Sequence, residues 1–123
     1  MGDLTKNFSA DEFLCPCCGE SCMHPSFMAR LQNLRSEYGK PLGIVEGGGF
    51  RCAEYDKSKG AHPEGRAADL TYPREDHFLL LSLALKLGFT GIGDKNRDGK
   101  FQLHVDDAQA IQGVRPRPWK WTY

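Results

Sequence analysis

The longest apolar run in the chain lies within the segment 74–88, REDHFLLLSLALKLG. It contains Ser82 and Lys86 and is too short to cross a bilayer, so it reads as a helix for a folded core. Glu75 and Asp76 fall in its first turn, Lys86 in its last, and Gly88 stands where a left-handed closing residue belongs. A second helix is written in HPSFMARLQNLRSEYGKP, with Pro25 near its first turn and Gly39-Lys40-Pro41 as its stop. Phe27, Leu31, Leu34 and Tyr38 recur at i, i+4, i+7 and i+11 and form one apolar face. Ser9 and Glu12 make a capping box that opens a short helix in FSADEF.

Between and after these helices the pattern changes to strands. LGIVEGGGFRC reads as a strand broken by a triple glycine, and GRAADLTY as a second strand with small side chains. FTGIGD and KFQLHVDD predict two more, joined by the turn KNRDG. The ending VRPRPWKWTY, punctuated by prolines, reads as a tail. The expectation is an α+β fold with helices on one side of a small, mostly antiparallel sheet. At 123 residues the chain is long enough for one hydrophobic core. It is read as a single domain over 1–123, with a helix and Cys-rich loop in 1–24 and a tail packed on the core in 111–123.

Sixteen basic residues balance sixteen acidic ones, so no nucleic-acid or membrane-surface footprint is expected, and the chain is read as a monomer. The opening MGDLTKNFSADEF lacks the layout of a secretory signal. The five cysteines are an odd number, and four lie in CPCCGESC. Cys15, Cys18, Cys22 and Cys52 could form a structural zinc site, a disulfide could join the loop to Cys52, or all could remain thiols.

Residues 60–70, GAHPEGRAADL, carry the main chemical signal. His62 and Asp69 could reach one ion if the chain turns sharply between them, and Gly65 permits such a turn. Ala67 and Ala68 would leave the neighbourhood uncluttered. His104, mid-strand among apolar residues, is the natural third ligand, because an unpaired imidazole there is costly. Three protein ligands leave a fourth position for water, the layout of a catalytic zinc site. DKNRDG also holds half a calcium loop in Asp94, Asn96 and Asp98, but Val105 stands where the closing glutamate belongs. A polar hairpin turn explains Asp98-Gly99 equally well.

GGFRC, GAHPEGRAADL, GFTGIG and LHVD together resemble the zinc D-alanyl-D-alanine carboxypeptidase family of peptidoglycan peptidases. That family shares a fold core and metal site with hedgehog signalling domains and is common among phage endolysins. Its hallmark Ser-x-His-x-x-Gly-x-Ala-x-Asp is matched by His62, Gly65, Ala67 and Asp69, with Gly60 in place of the serine. NFSADEFLCPCCGE and RPRPWKWTY are similar to the family's opening and ending, so the resemblance spans nearly the whole chain.

The resemblance implies a zinc peptidase cutting peptidoglycan stem peptides as a carboxypeptidase or endopeptidase. His62, Asp69 and His104 would hold one Zn²⁺, and Arg51 would bind a carboxylate or oxyanion. Asp106, on the same strand face as His104, is the first choice for general base. Asp98 is the second, standing where hedgehog-type relatives carry an acid. Gln102 replaces a second histidine and cannot transfer protons. Gly48, Gly49 and Phe50 depart from the usual Ser-Gly-Tyr, and Asp56 replaces an asparagine. The alternative is a non-catalytic, zinc-bound, hedgehog-like binding or virion structural domain. The implied location is the producing cell's cytoplasm until release to the wall, or the virion.

Overall fold

The computed structural model describes residues 2–58, 60–97 and 100–123, and only the backbone of Asn96, Arg97 and Lys100. Two helices, α1 (Pro25–Tyr38) and α2 (His77–Lys86), pack on a five-stranded sheet. The strands are β1 (Gly43–Ile44), β2 (Ala67–Thr71), β3 (Gly91–Arg97), β4 (Lys100–Asp106) and β5 (Trp119–Thr122). They lie in the order β1-β2-β4-β3-β5, antiparallel except for the parallel pair β3/β5. The architecture is therefore the α+β fold expected.

Local chemistry sets the helix limits. His24 caps α1, accepting from the Ser26 N–H through its ring, and Gly39 closes it at φ 76°. Phe27, Leu31, Leu34 and Tyr38 are all buried, so the apolar face read from the sequence is the face that docks. The segment 74–88 divides differently. Arg74–Asp76 forms a 3-10 turn and the α-helix starts at His77. The Asp76 carboxylate does not cap α2; it accepts from the Tyr38 hydroxyl at 2.6 Å and from Lys40 at 3.1 Å. Only part of the long apolar run serves the core. Leu80 and Ala84 are fully buried, whereas Phe78 and Leu85 are exposed.

The sheet's two faces follow from the two-residue period of its strands. On β4, Leu103 and Val105 point to the helices and are fully buried, together with Ala68 and Leu70 of β2. Burying a side chain of this size stabilises the fold by about 1.5–3 kcal/mol. Gln102, His104 and Asp106 project to the opposite face. There Asp69 of β2 and Gly93 of β3 stand directly across from His104, one on each side.

Two expectations need correction. The C-terminal segment is no mere tail: Trp119–Thr122 pairs with β3 as an edge strand. Asp94 lies within β3 rather than in a loop, and its carboxylate is engaged by His77 at 2.8 Å and Lys120 at 3.6 Å. The first residue of the half calcium loop is thus held by His77 and Lys120. The Asn96 side chain and Asp98 fall outside the described residues.

Candidate metal centre

Three chain segments meet on the open face of the sheet. His62 begins a 3-10 turn, His62–Glu64, which Gly65 ends at φ 69° before the chain enters β2. That left-handed turn is the sharp reversal required between His62 and Asp69, and a side chain at residue 65 would also collide with the Cys22 carbonyl. Asp69 and His104 are direct cross-strand partners. Ala67 and Ala68 are both completely buried and do not clear space for a substrate. Ala67 packs with Ala61 and Ala108, and Ala68 belongs to the helix-covered core.

The donor atoms converge. His104 Nδ1 lies 3.1 Å from Asp69 Oδ1, and His62 Nε2 lies 3.5 Å from the same oxygen. One ligand atom from each residue lies within 4.8 Å of both others. With bonds of about 2.0–2.1 Å, a tetrahedral zinc site has ligand–ligand edges of about 3.3 Å, so these separations suit that ion.

Hydrogen bonds behind each ring select the nitrogen that faces the ion. His62 Nδ1–H donates to the Gly49 carbonyl at 2.7 Å, leaving the Nε2 lone pair directed inward. His104 Nε2–H donates to Asp106 at 2.7 Å, leaving Nδ1 toward Asp69. The Asp69 carboxylate is divided in the same way: Oδ1 faces both histidines, and Oδ2 accepts from Arg51 at 2.9 Å.

The electrostatics at the three donors are governed by the Asp69 and Asp106 carboxylates that flank His104. Burial would raise the Asp69 pKa, but hydrogen bonds and charge from His104 and His62 hold it far below the carboxylate range. Burial opposes charge on His104, yet Asp106 and Asp69, one at each ring nitrogen, keep its pKa above the ordinary histidine value. A metal ion would take the place of the proton between His104 and Asp69.

Asp106 does not stand where a general base is needed. It is completely buried and lies on the Nε2 side of His104, away from the converging lone pairs. Arg117 donates to both its oxygens, at 3.0 and 2.8 Å, and the Ala108 N–H donates to Oδ1. Burial opposes its ionisation, but His104 and Arg117 bring its pKa down to about 2. The carboxylate fits there because residue 91, directly opposite on β3, is glycine; a Cβ would sit 2.3 Å from its oxygens.

Arg51 donates Nε–H to the Gly47 carbonyl at 2.6 Å and approaches Asp56 at 3.7 Å, in addition to holding Asp69. With Asp69, Lys95, Gln102, His104 and Tyr123 it lines a cleft of about 190 Å³. Asp98 falls outside the described residues. Arg117, Trp121 and Tyr123, in the sequence only part of an ending similar to the family's, and Lys95 also stand at the site. The His104 ring packs against Trp121 at 5.1 Å, and the Arg117 guanidinium stacks over that indole at 5.2 Å. A buried aspartate next to a ligand calls for a cation, but no local spacing identifies a partner eleven residues away.

A second group of potential ligands lies apart from this one. The sulfurs of Cys15, Cys18 and Cys52 are all within 4.8 Å of one another. Burial raises the Cys15 pKa, but N–H bonds from Cys52, Cys18 and Cys17 outweigh it and lower the value to about 6.

A sequence profile for the family described as Peptidase M15 matches residues 6–106, which include His62, Asp69 and His104. The chain belongs to the peptidase M15 family. A search of curated proteins finds no match. Peptidase M15 is a zinc-dependent metallopeptidase family, and its members act on peptide substrates. The His62–Asp69–His104 group fits that metal in donor type, spacing and tautomer. No described helix is long and apolar enough to cross a membrane.

Proposed function

We propose that this peptidase M15 member hydrolyses peptide bonds in the stem peptides of bacterial peptidoglycan, as a carboxypeptidase or endopeptidase of the endolysin kind. The observation that carries this reading is the convergence of His62 Nε2, Asp69 Oδ1 and His104 Nδ1 in a cleft also lined by Arg51 and Lys95. A bound zinc ion supplies Lewis acidity toward the scissile carbonyl and brings the pKa of a water toward about 7.

The chain's own residues do the rest. Asp106, fixed by Arg117, keeps the His104 ring in the tautomer that offers Nδ1. The Gly49 carbonyl does the same for His62. Arg51 steadies the second oxygen of Asp69 while facing the cleft. Together with Lys95 it gives a stem-peptide carboxylate two cations to meet. Trp121 and Tyr123 wall the site on the β5 side. Asp98, which stands where hedgehog-type relatives carry an acid, is the residue assigned here to proton transfer, because Asp106 is committed to Arg117.

That commitment of Asp106 favours one second reading, a zinc-bound domain that recognises a partner without cutting it. Digestion of purified peptidoglycan, with and without chelator, followed by mass analysis of the fragments, decides between them. Cleaved stem peptides that disappear with chelator and return with zinc support the peptidase. A zinc-loaded protein that leaves every stem peptide intact supports the binding domain. Asp98→Asn is expected to keep the metal and lose turnover.

A further inference from the structure

We propose that Cys15, Cys18 and Cys52, with Cys17 as fourth donor, form a separate structural zinc site that fastens the Cys-rich loop to the segment carrying Arg51. This proposal does not depend on the peptidase reading.

Three sulfurs from two segments, one of them thirty-seven residues further along the chain, have been brought around one point. A tetrathiolate zinc site with bonds of about 2.3 Å has sulfur–sulfur edges of about 3.8 Å, compatible with three sulfurs mutually within 4.8 Å. The loop is shaped to present them. Cys15 N–H donates to the Glu20 carbonyl at 2.8 Å, and Gly19 N–H returns to the Cys15 carbonyl at 2.9 Å. Cys15 itself is buried, and its sulfur accepts N–H bonds from Cys17 at 3.4 Å and Cys52 at 3.3 Å. Backbone donors aimed at a buried sulfur suit a thiolate that ligates a cation.

The fourth donor follows from what surrounds the group. Cys17 stands beside the group of three: its N–H donates to the Cys15 sulfur at 3.4 Å, and the neighbouring Cys52 thiol is the foremost cause that raises its pKa. Cys22 lies apart from the group, with its carbonyl against Gly65. Cys52 joins the C-x-x-C of Cys15 and Cys18, and Cys17, rather than Cys22, is the donor proposed to complete the site. A disulfide would engage two of these sulfurs and leave the others unused, whereas one zinc ion engages all four.

The tie matters because of what Cys52 adjoins. Arg51 holds Asp69, Phe50 N–H donates to the Phe13 carbonyl at 3.0 Å, and the Gly49 carbonyl orients His62. The loop thus braces the segment that supports two of the three ligands of the first site.

Native mass spectrometry and elemental analysis of the full chain, purified reduced and with zinc, test the assignment. Wild type should carry two zinc ions, His104→Ala and Cys52→Ser one each, and Cys22→Ser two. Cobalt substitution should give a thiolate-to-cobalt charge-transfer band in wild type and in His104→Ala. That band needs no cysteine variant to fold. One zinc in wild type with five titratable thiols overturns the proposal, as does a mass two hydrogens lower with a mapped disulfide in this loop. Loss of a zinc in Cys22→Ser and its retention in Cys17→Ser overturns the choice of fourth donor.

Discussion

The two faces of the sheet obey opposite rules although the same strands make both. Toward the helices, Leu70, Leu103 and Val105 are sealed in an apolar layer whose role ends with packing. Toward the cleft, Asp69, His104 and Asp106 form a chain of charges in which every buried polar atom has a partner: Arg51, then Asp69, His104, Asp106 and Arg117. A strand can carry both programmes because neighbouring residues point opposite ways. One face tolerates apolar replacements of similar volume, while the other depends on which atom meets which.

Adjacent residues of β4 separate the two faces most widely. His104→Ala is expected to remove one bound zinc and abolish turnover in the peptidoglycan assay. Leu103→Ala, one residue earlier, is expected to cost about 2–5 kcal/mol in denaturant unfolding while its folded fraction keeps its zinc. Loss of the zinc from folded Leu103→Ala would break the comparison. A smaller effect tests the charge chain behind the ligands. Asp106→Asn should weaken zinc binding about 10–100-fold in a chelator competition, because the amide holds the His104 ring less firmly than the carboxylate.

The smallest expected effect lies at the helix side's own polar contact. Tyr38→Phe removes the hydrogen bond to Asp76 and should lower Tm by a few degrees at neutral pH. The Tyr38 bond, followed by Lys40, lowers the Asp76 pKa, so this contribution is present above the unfolded carboxylate value of about 4. It is lost as pH falls through the lowered folded value. Thermal melts of wild type and Tyr38→Phe should therefore converge in acid, and a gap that persists there would show that packing, not the ion, carries the difference.

Much of this architecture is local and could be read in the sequence. The spacing of Phe27, Leu31, Leu34 and Tyr38 predicts the buried side of α1, and the His62–Gly65–Asp69 spacing predicts a turn into a strand. What escaped is set by partners distant in the chain. Trp119-Lys120-Trp121-Thr122 alternates as a strand should, but the prolines before it hide the signal, and its parallel partner β3 is visible only in three dimensions. The same holds for Asp106. Its position on the His104 face is legible from strand period, but Arg117 arrives from another segment and turns an apparent proton carrier into a buried ion pair. The cysteines repeat the lesson, since spacing groups Cys22 with Cys15, Cys18 and Cys52, whereas the fold brings together the sulfurs of the other three.

The edge strand β5 has a consequence for how such a protein can diversify. The proposed ligands belong to β2, β4 and the turn before β2, whereas Trp121 stands on a rim strand attached to β3 alone and Tyr123 directly follows it. Exchanging aromatic groups along that rim, or lengthening the connection that leads into it, would reshape what the cleft admits while leaving the ion's cradle intact. Selectivity and reactivity can thus evolve as separable traits.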